Sequence, residues 1–160
     1  MTTDQKENLI HIFEALSNAF DDVLILSNEI LSFRPFEDAW SIKEQIVHCL
    51  EVDMANFHRY RRAIAQPETQ ILSFDQIWTT ALDYQSSDIQ STIALIKLTR
   101  KYMASHLKTI VSNDWKKYAY IHDRKGRINL EEALKSYIDH VGFHRKLVDR
   151  NIEMYRNNTK

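Results

Sequence analysis

The sequence predicts an all-α protein built as a four-helix bundle, and three observations predict it. Long stretches of the chain place apolar residues at three- and four-residue spacing, the mark of an amphipathic helix. The 160 residues hold only two glycines and two prolines, so breaks are few and the helices should be long. Capping signals, Ser or Asn followed three residues later by Glu or Gln, stand where helices should begin. No internal repeat, low-complexity segment or change of composition divides the chain. Residues 1–160 are therefore expected to form one domain, a length that suits a single core.

The first helix is expected from about Asp4 to Leu31, with Leu9, Phe13, Leu16, Phe20, Val23, Leu24, Ile30 and Leu31 on one stripe. It should stop at Arg34-Pro35, because proline disfavours the helical conformation of its predecessor. The second helix has a sharp start: Ser41 and Glu44 form a capping-box pair, and the apolar face runs through Ile42, Ile46, Cys49, Leu50, Phe57, Tyr60 and Ile64 to about Ala65. Asp53 interrupts that face, so its carboxylate must be paired or must orient another group. A short extra helix is expected from Phe74 to Tyr84, with Ser73 and Gln76 at capping-box spacing. The third long helix should open at Ser87-Asp88 and run to about Val111, with Ile89, Ile93, Leu95, Ile96, Met103, Leu107 and Ile110 in its core. Between Asn113 and Asn129 the pattern becomes aromatic and partly alternating, and Gly126 supplies a turn; a small hairpin or an irregular crossover fits. Asn129 and Glu132 then cap the last helix, the most clearly amphipathic of the chain, from Leu130 to Tyr155.

Composition narrows the function classes. A net charge of -1 offers no basic surface for nucleic acid. The N-terminal residues lack a basic region followed by an apolar run, so no signal peptide is expected, and no apolar run is long enough for a bilayer. A single cysteine, Cys49, forbids an internal disulfide framework and fits a reducing cytosol, so a cytoplasmic protein is expected. Cys49 faces the core stripe and reads as a small hydrophobe. His11 and His58 read as surface residues, His106 as a core-boundary residue, and His122 as a solvated turn residue.

The chemistry concentrates in the last helix. His140 and His144 lie four residues apart inside the apolar stripe of Leu134, Tyr137, Val141 and Val148. Residues at that spacing are neighbours, so both imidazoles can reach one point. A buried polar ring needs a partner; hydrogen bonds to hydroxyls or carbonyls would serve, and so would a metal ion. Bundle cores are a usual place for metal sites built from facing helices. A third ligand would come from another helix, and His48, near the start of the second, is the best placed, although it sits off the centre of its apolar stripe.

Two segments resemble a known family. Trp40-Ser41-Ile42-Lys43-Glu44-Gln45-Ile46-Val47-His48-Cys49-Leu50 resembles the first motif of the DinB-like, YfiT-like metal-binding bundles, and His140-Val141-Gly142-Phe143-His144 resembles their last-helix H-x-x-x-H motif. Cys49 stands where the family usually has leucine. The resemblance covers the whole chain in length and helix order and is specific only at the two motifs. It implies an up-down-down-up bundle with a divalent metal, zinc or nickel, held by His48, His140 and His144. Three neutral imidazoles leave a coordination position open, which is what catalysis needs. The resemblance further implies transfer of a low-molecular-weight thiol to an electrophilic substrate, with a damage- or stress-related bundle that binds metal without turnover as the alternative. Small-molecule thiol and electrophile would be the partners, without nucleic acid or membrane, and a homodimer is expected by analogy. Asp53, Tyr137 and Asn151 are candidates to orient the ligating rings.

Overall fold

Ser41 and Glu44 cap the helix that carries the first histidine as their spacing predicts. In this computed structural model, which describes residues 1–75 and 77–158, the Ser41 Oγ accepts from the Glu44 amide at 3.2 Å and Glu44 Oε2 accepts from the Ser41 amide at 2.8 Å. The helices are α1 (Thr3–Ala15), α2 (Asn28–Ser32), α3 (Ile42–Ala65), α4 (Trp78–Ala81), α5 (Ile89–Thr109) and α6 (Leu130–Asn158). Three short strands complete the fold: β1 (Thr69–Ile71), β2 (Ala119–His122) and β3 (Gly126–Asn129). Asp88 caps α5, and Asn129 and Glu132 bond reciprocally at the start of α6, at 3.1 and 2.9 Å.

Contacts between the long helices give their directions. Lys6 on α1 donates to the carbonyls of Val111 and Asn113, beyond the end of α5, while the Leu16 carbonyl accepts from Arg100; α1 and α5 are antiparallel. Ser41 bonds Gln85 just before α5 begins, and Phe57 stacks near Tyr102, so α3 and α5 run the same way. On α3 and α6 the order reverses, with Tyr60 bonded to Ala133, Gln45 to His144, and Trp40 to Asn151. The result is an up-down-down-up bundle in which residues 66–88 cross from one end to the other. The core is apolar and includes Phe13, Ile46, Cys49, Ile96, Leu107, Leu134, Val141 and Val148. Among the described residues no helix is long and apolar enough to cross a membrane.

The first segment departs from expectation. One continuous helix from Asp4 to Leu31 is replaced by α1, two 3-10 turns (Leu16–Asn18 and Asp21–Ile25) and α2. The physical reason lies in remote partners: carbonyls released from the helical ladder are taken by guanidinium groups, Leu16 by Arg100 Nη1 at 2.5 Å and Ala19 by Arg145 Nη1 at 2.8 Å. Leu24 is consequently exposed, and Leu95 on α5 is exposed as well. The short helix is also displaced. Ser73 does not cap it, because its hydroxyl donates to Asp123 Oδ2 at 2.9 Å; helix α4 starts at Trp78. Gln76, the proposed partner of Ser73 in that cap, lies outside the described residues.

The small hairpin is present, and it belongs to a three-stranded sheet. Strand β2 pairs antiparallel with β3, in register Ala119↔Asn129 through His122↔Gly126, and parallel with β1 from Thr69↔Tyr120 to Ile71↔His122. Gly126 has φ +72, a conformation that favours glycine, and it closes the turn at Asp123-Arg124-Lys125. The sheet packs against α3 and the start of α6 and forms one wall of a cleft beside them.

Candidate metal centre

Helices α3 and α6 run antiparallel, and this places His48 of α3 opposite one turn of α6. His48 Nε2 lies 3.2 Å from His140 Nε2, and His144 Nε2 lies 3.1 Å from the same atom. The three nitrogens converge within 4.8 Å of one another. His48 is 3% exposed and His144 5%, while His140 is half-buried. His48, off-centre on its own stripe, is buried because Trp40 and Phe74 close on it, with ring centroids at 5.0 and 5.5 Å. Trp40 also lies parallel to His144 at 6.3 Å.

Burial sets the charge state. His48 is held down at about 4 by desolvation and then by His140; His144 falls to about 3 by desolvation and then by His140 and His48. His140 falls to about 4 through desolvation and then the charges of Arg100 and Lys125. At neutral pH all three rings are neutral, so each has one nitrogen with a lone pair.

The identity of that nitrogen is clearest at His144. Its Nδ1–H donates to Gln45 Oε1 at 2.5 Å, so its Nε2 carries the lone pair toward the other two rings. With that lone pair fixed, hydrogen bonding cannot satisfy the cluster. His140 Nε2 is either a donor or an acceptor, so only one of its two contacts can be a well-directed hydrogen bond. A cation among three lone pairs would satisfy all of them. Two of the three spacings also fit. Two imidazole nitrogens on a tetrahedral zinc ion stand about 3.3 Å apart, close to the 3.1 and 3.2 Å found between the ring nitrogens. The donor set and the two spacings from His140 therefore fit a divalent ion.

Other expected roles are corrected. Asp53 is fully buried, but its partner is Arg100, whose Nε donates to Asp53 Oδ2 at 2.9 Å; it does not touch a ligating ring. Burial pushes the Asp53 carboxyl up to about 7, against the pull of Arg100. Asn151 donates to the Trp40 carbonyl at 2.8 Å and so holds the segment that carries Trp40. The Tyr137 hydroxyl is buried with no partner among the described residues, as are Nδ1 of His48 and of His140. Gln45, which does orient a ring, was not expected; its position one turn before His48 is the only sign of it in the sequence. Cys49 is wholly buried and its thiol is pushed far up by desolvation. His11 and His58 are exposed and His106 is half-buried, as expected.

His122 is the other residue misread. It is buried, at 9% exposure, as the last residue of β2. The period-two alternation of Tyr120 and His122 could have shown it, since both then face one side of the strand. His122 lines a cleft of about 350 Å³ together with His48, His140, Tyr137, Asn56 and Arg59. Burial, and then the charge of Arg59, lowers the His122 pKa. The cluster therefore borders a cavity large enough for a small molecule.

Comparison with known proteins agrees with the fold. The profile of the DinB superfamily matches residues 6–148. The Bacillus subtilis (strain 168) protein named Putative metal-dependent hydrolase YfiT is 21% identical over 146 residues, which cover 90% of this chain and 82% of the relative. A solved structure of YfiT from Bacillus subtilis, described as a probable metal-dependent hydrolase with an unusual four-helix bundle topology, aligns with TM-score 0.85 at 20% identity. That alignment covers 99% of this chain and 90% of the other.

Proposed function

The chain belongs to the DinB superfamily, and from that premise we propose that it is a divalent-metal-dependent enzyme, a hydrolase in the first reading. His48, His140 and His144 would hold the ion. The observation that carries this reading is the convergence of three neutral imidazole nitrogens at the edge of a cleft. A bound divalent ion supplies Lewis acidity and an open coordination position, lowering the pKa of a nucleophile there.

The chain supplies the rest. Gln45 holds the His144 ring in one tautomer, while Trp40 and Phe74 shield His48 from water. Tyr137 lines the cleft, and its hydroxyl is buried with no hydrogen-bond partner among the described residues. This reading takes the nucleophile from outside the chain. Cys49 is sealed in the core with its thiol protonated, and the Ser73 hydroxyl donates to Asp123. The name of the Bacillus subtilis relative supports water in that role.

One observation favours a second reading, transfer of a small thiol to an electrophile. Among the described residues no aspartate or glutamate lines the cleft. A thiol, far more acidic than water, needs less help from a general base. Zinc and nickel both suit three imidazoles with an open position. The test is to load the protein with each metal and offer nitrophenyl esters without thiol, then an electrophilic bimane with a panel of thiols. Metal-dependent ester cleavage supports hydrolysis, and thiol-dependent conjugation supports transfer. Tight metal binding with neither reaction overturns both and leaves a metal-binding bundle without turnover.

A further inference from the structure

The rim of the cleft is cationic, and we infer that it is a subsite for the anionic group of a small substrate, a carboxylate or a phosphate, whose reacting end lies at the three histidines. The orientation rests on the metal-site reading above; the charge argument does not. Arg59 of α3 and Arg124 and Lys125 of the β2–β3 turn line the same cleft as His48 and His140. Among the described residues no carboxylate lines it.

The acids at the neighbouring strand end and turn already have partners, those of Asp123 being cleft-lining residues themselves. Asp123 accepts from Ser73 Oγ at 2.9 Å and lies 3.0 Å from His122 Nδ1, and Glu68 pairs with Arg127 at 2.9 Å. Arg59 donates Nη2–H to the Leu72 carbonyl at 2.8 Å. That bond steadies the guanidinium and leaves further N–H groups for a ligand. Arg59, Lys125 and Arg124 all act on the His122 ring, against an opposing pull from Asp123, and Lys125 acts on His140 as well.

Neutral hydrogen-bonding groups lie in the same cleft. Asn56 is 7% exposed and lines it, as does Tyr137, 3% exposed, whose hydroxyl lacks a protein partner among the described residues. Phe74 and Ile128 add apolar surface. A cleft of about 350 Å³ with cations at its rim, neutral polar groups in its wall and, among the described residues, no acid in its lining suits a small molecule with an anionic head and an apolar body.

Phenyl phosphate and benzoate serve as anionic probes, and benzyl alcohol as the neutral one. Binding is measured by calorimetry on zinc-loaded and metal-free protein. At least one anion should bind both forms, and benzyl alcohol should bind at least tenfold more weakly. The relative strength of the two anions assigns the head group. Because Arg124 and Lys125 are exposed, Arg124→Gln with Lys125→Gln should leave the fold and the zinc content intact while weakening the anion at least tenfold; Arg59→Gln should weaken it similarly. Unchanged affinity in these variants, equal binding of benzyl alcohol, or no binding of either anion would overturn the subsite. If the parent fails to retain zinc but still shows charge-dependent anion binding, the metal reading falls and the subsite stands.

Discussion

The His144 Nδ1–H donates to Gln45 Oε1 at 2.5 Å, and this bond joins α6 to α3 at the point where the three rings meet. It fixes the tautomer that turns the His144 Nε2 lone pair inward. Gln45→Leu should therefore lower metal affinity about 10- to 100-fold, the usual cost of losing such a partner. Competition with a zinc-binding dye gives the number, and unchanged affinity would show that the tautomer is held by other means.

Asp53 and Arg100 form a buried ion pair with neither side chain exposed. Asp53→Ala should cost about 3–5 kcal/mol, because it strands the guanidinium in the core. Asp53→Leu combined with Arg100→Met should recover much of that loss. Urea denaturation measures both variants, and a double variant no more stable than Asp53→Ala would contradict the pairing.

Acid should weaken the metal-free fold over a defined window. The three histidines have folded pKa values of about 4, 4 and 3 against an ordinary 6.5. Above 6.5 they are neutral in both states and contribute no pH dependence. As pH falls from about 6.5 toward about 4, the unfolded chain takes up protons that the folded chain does not, so stability drops. His140→Gln with His144→Gln should flatten this slope in urea titrations at several pH values. An equally steep slope in that variant would place the titrating groups elsewhere. Acid should also release bound metal, since protons compete for the same nitrogens.

Cys49 should resist thiol reagents in the native state. Its burial and its raised pKa both remove the reactive thiolate. Ellman's reagent should react only after denaturant is added; fast reaction in the folded protein would contradict the packing at that position.

The sequence and the structure agree where local rules dominate. Helix starts at Ser41, Asp88 and Asn129 follow from side chains that bond amides three residues on. The His140–His144 pair is legible because its spacing puts both rings on a buried face. His48 is legible through its motif and not through periodicity, since Trp40 and Phe74 bury it from outside its own helix. The breaks after Ala15 depend on Arg100 and Arg145, more than 80 residues away in sequence, and no local pattern carries them. The same holds for β1, which pairs across a long crossover with β2, and for Gln45, whose role exists only once α3 and α6 are packed.

The central claim is that three imidazoles share one ion, and elemental analysis of protein purified without an affinity tag tests it most directly. The expected result is about one divalent ion per chain, lost on replacing His48, His140 or His144 by Gln, with helicity retained. His58→Gln and His106→Gln serve as controls and should keep the metal, because neither ring lies in the cluster. No bound ion in the parent after loading with zinc or nickel, or a His48→Gln variant that keeps its metal while His106→Gln loses it, would contradict the claim.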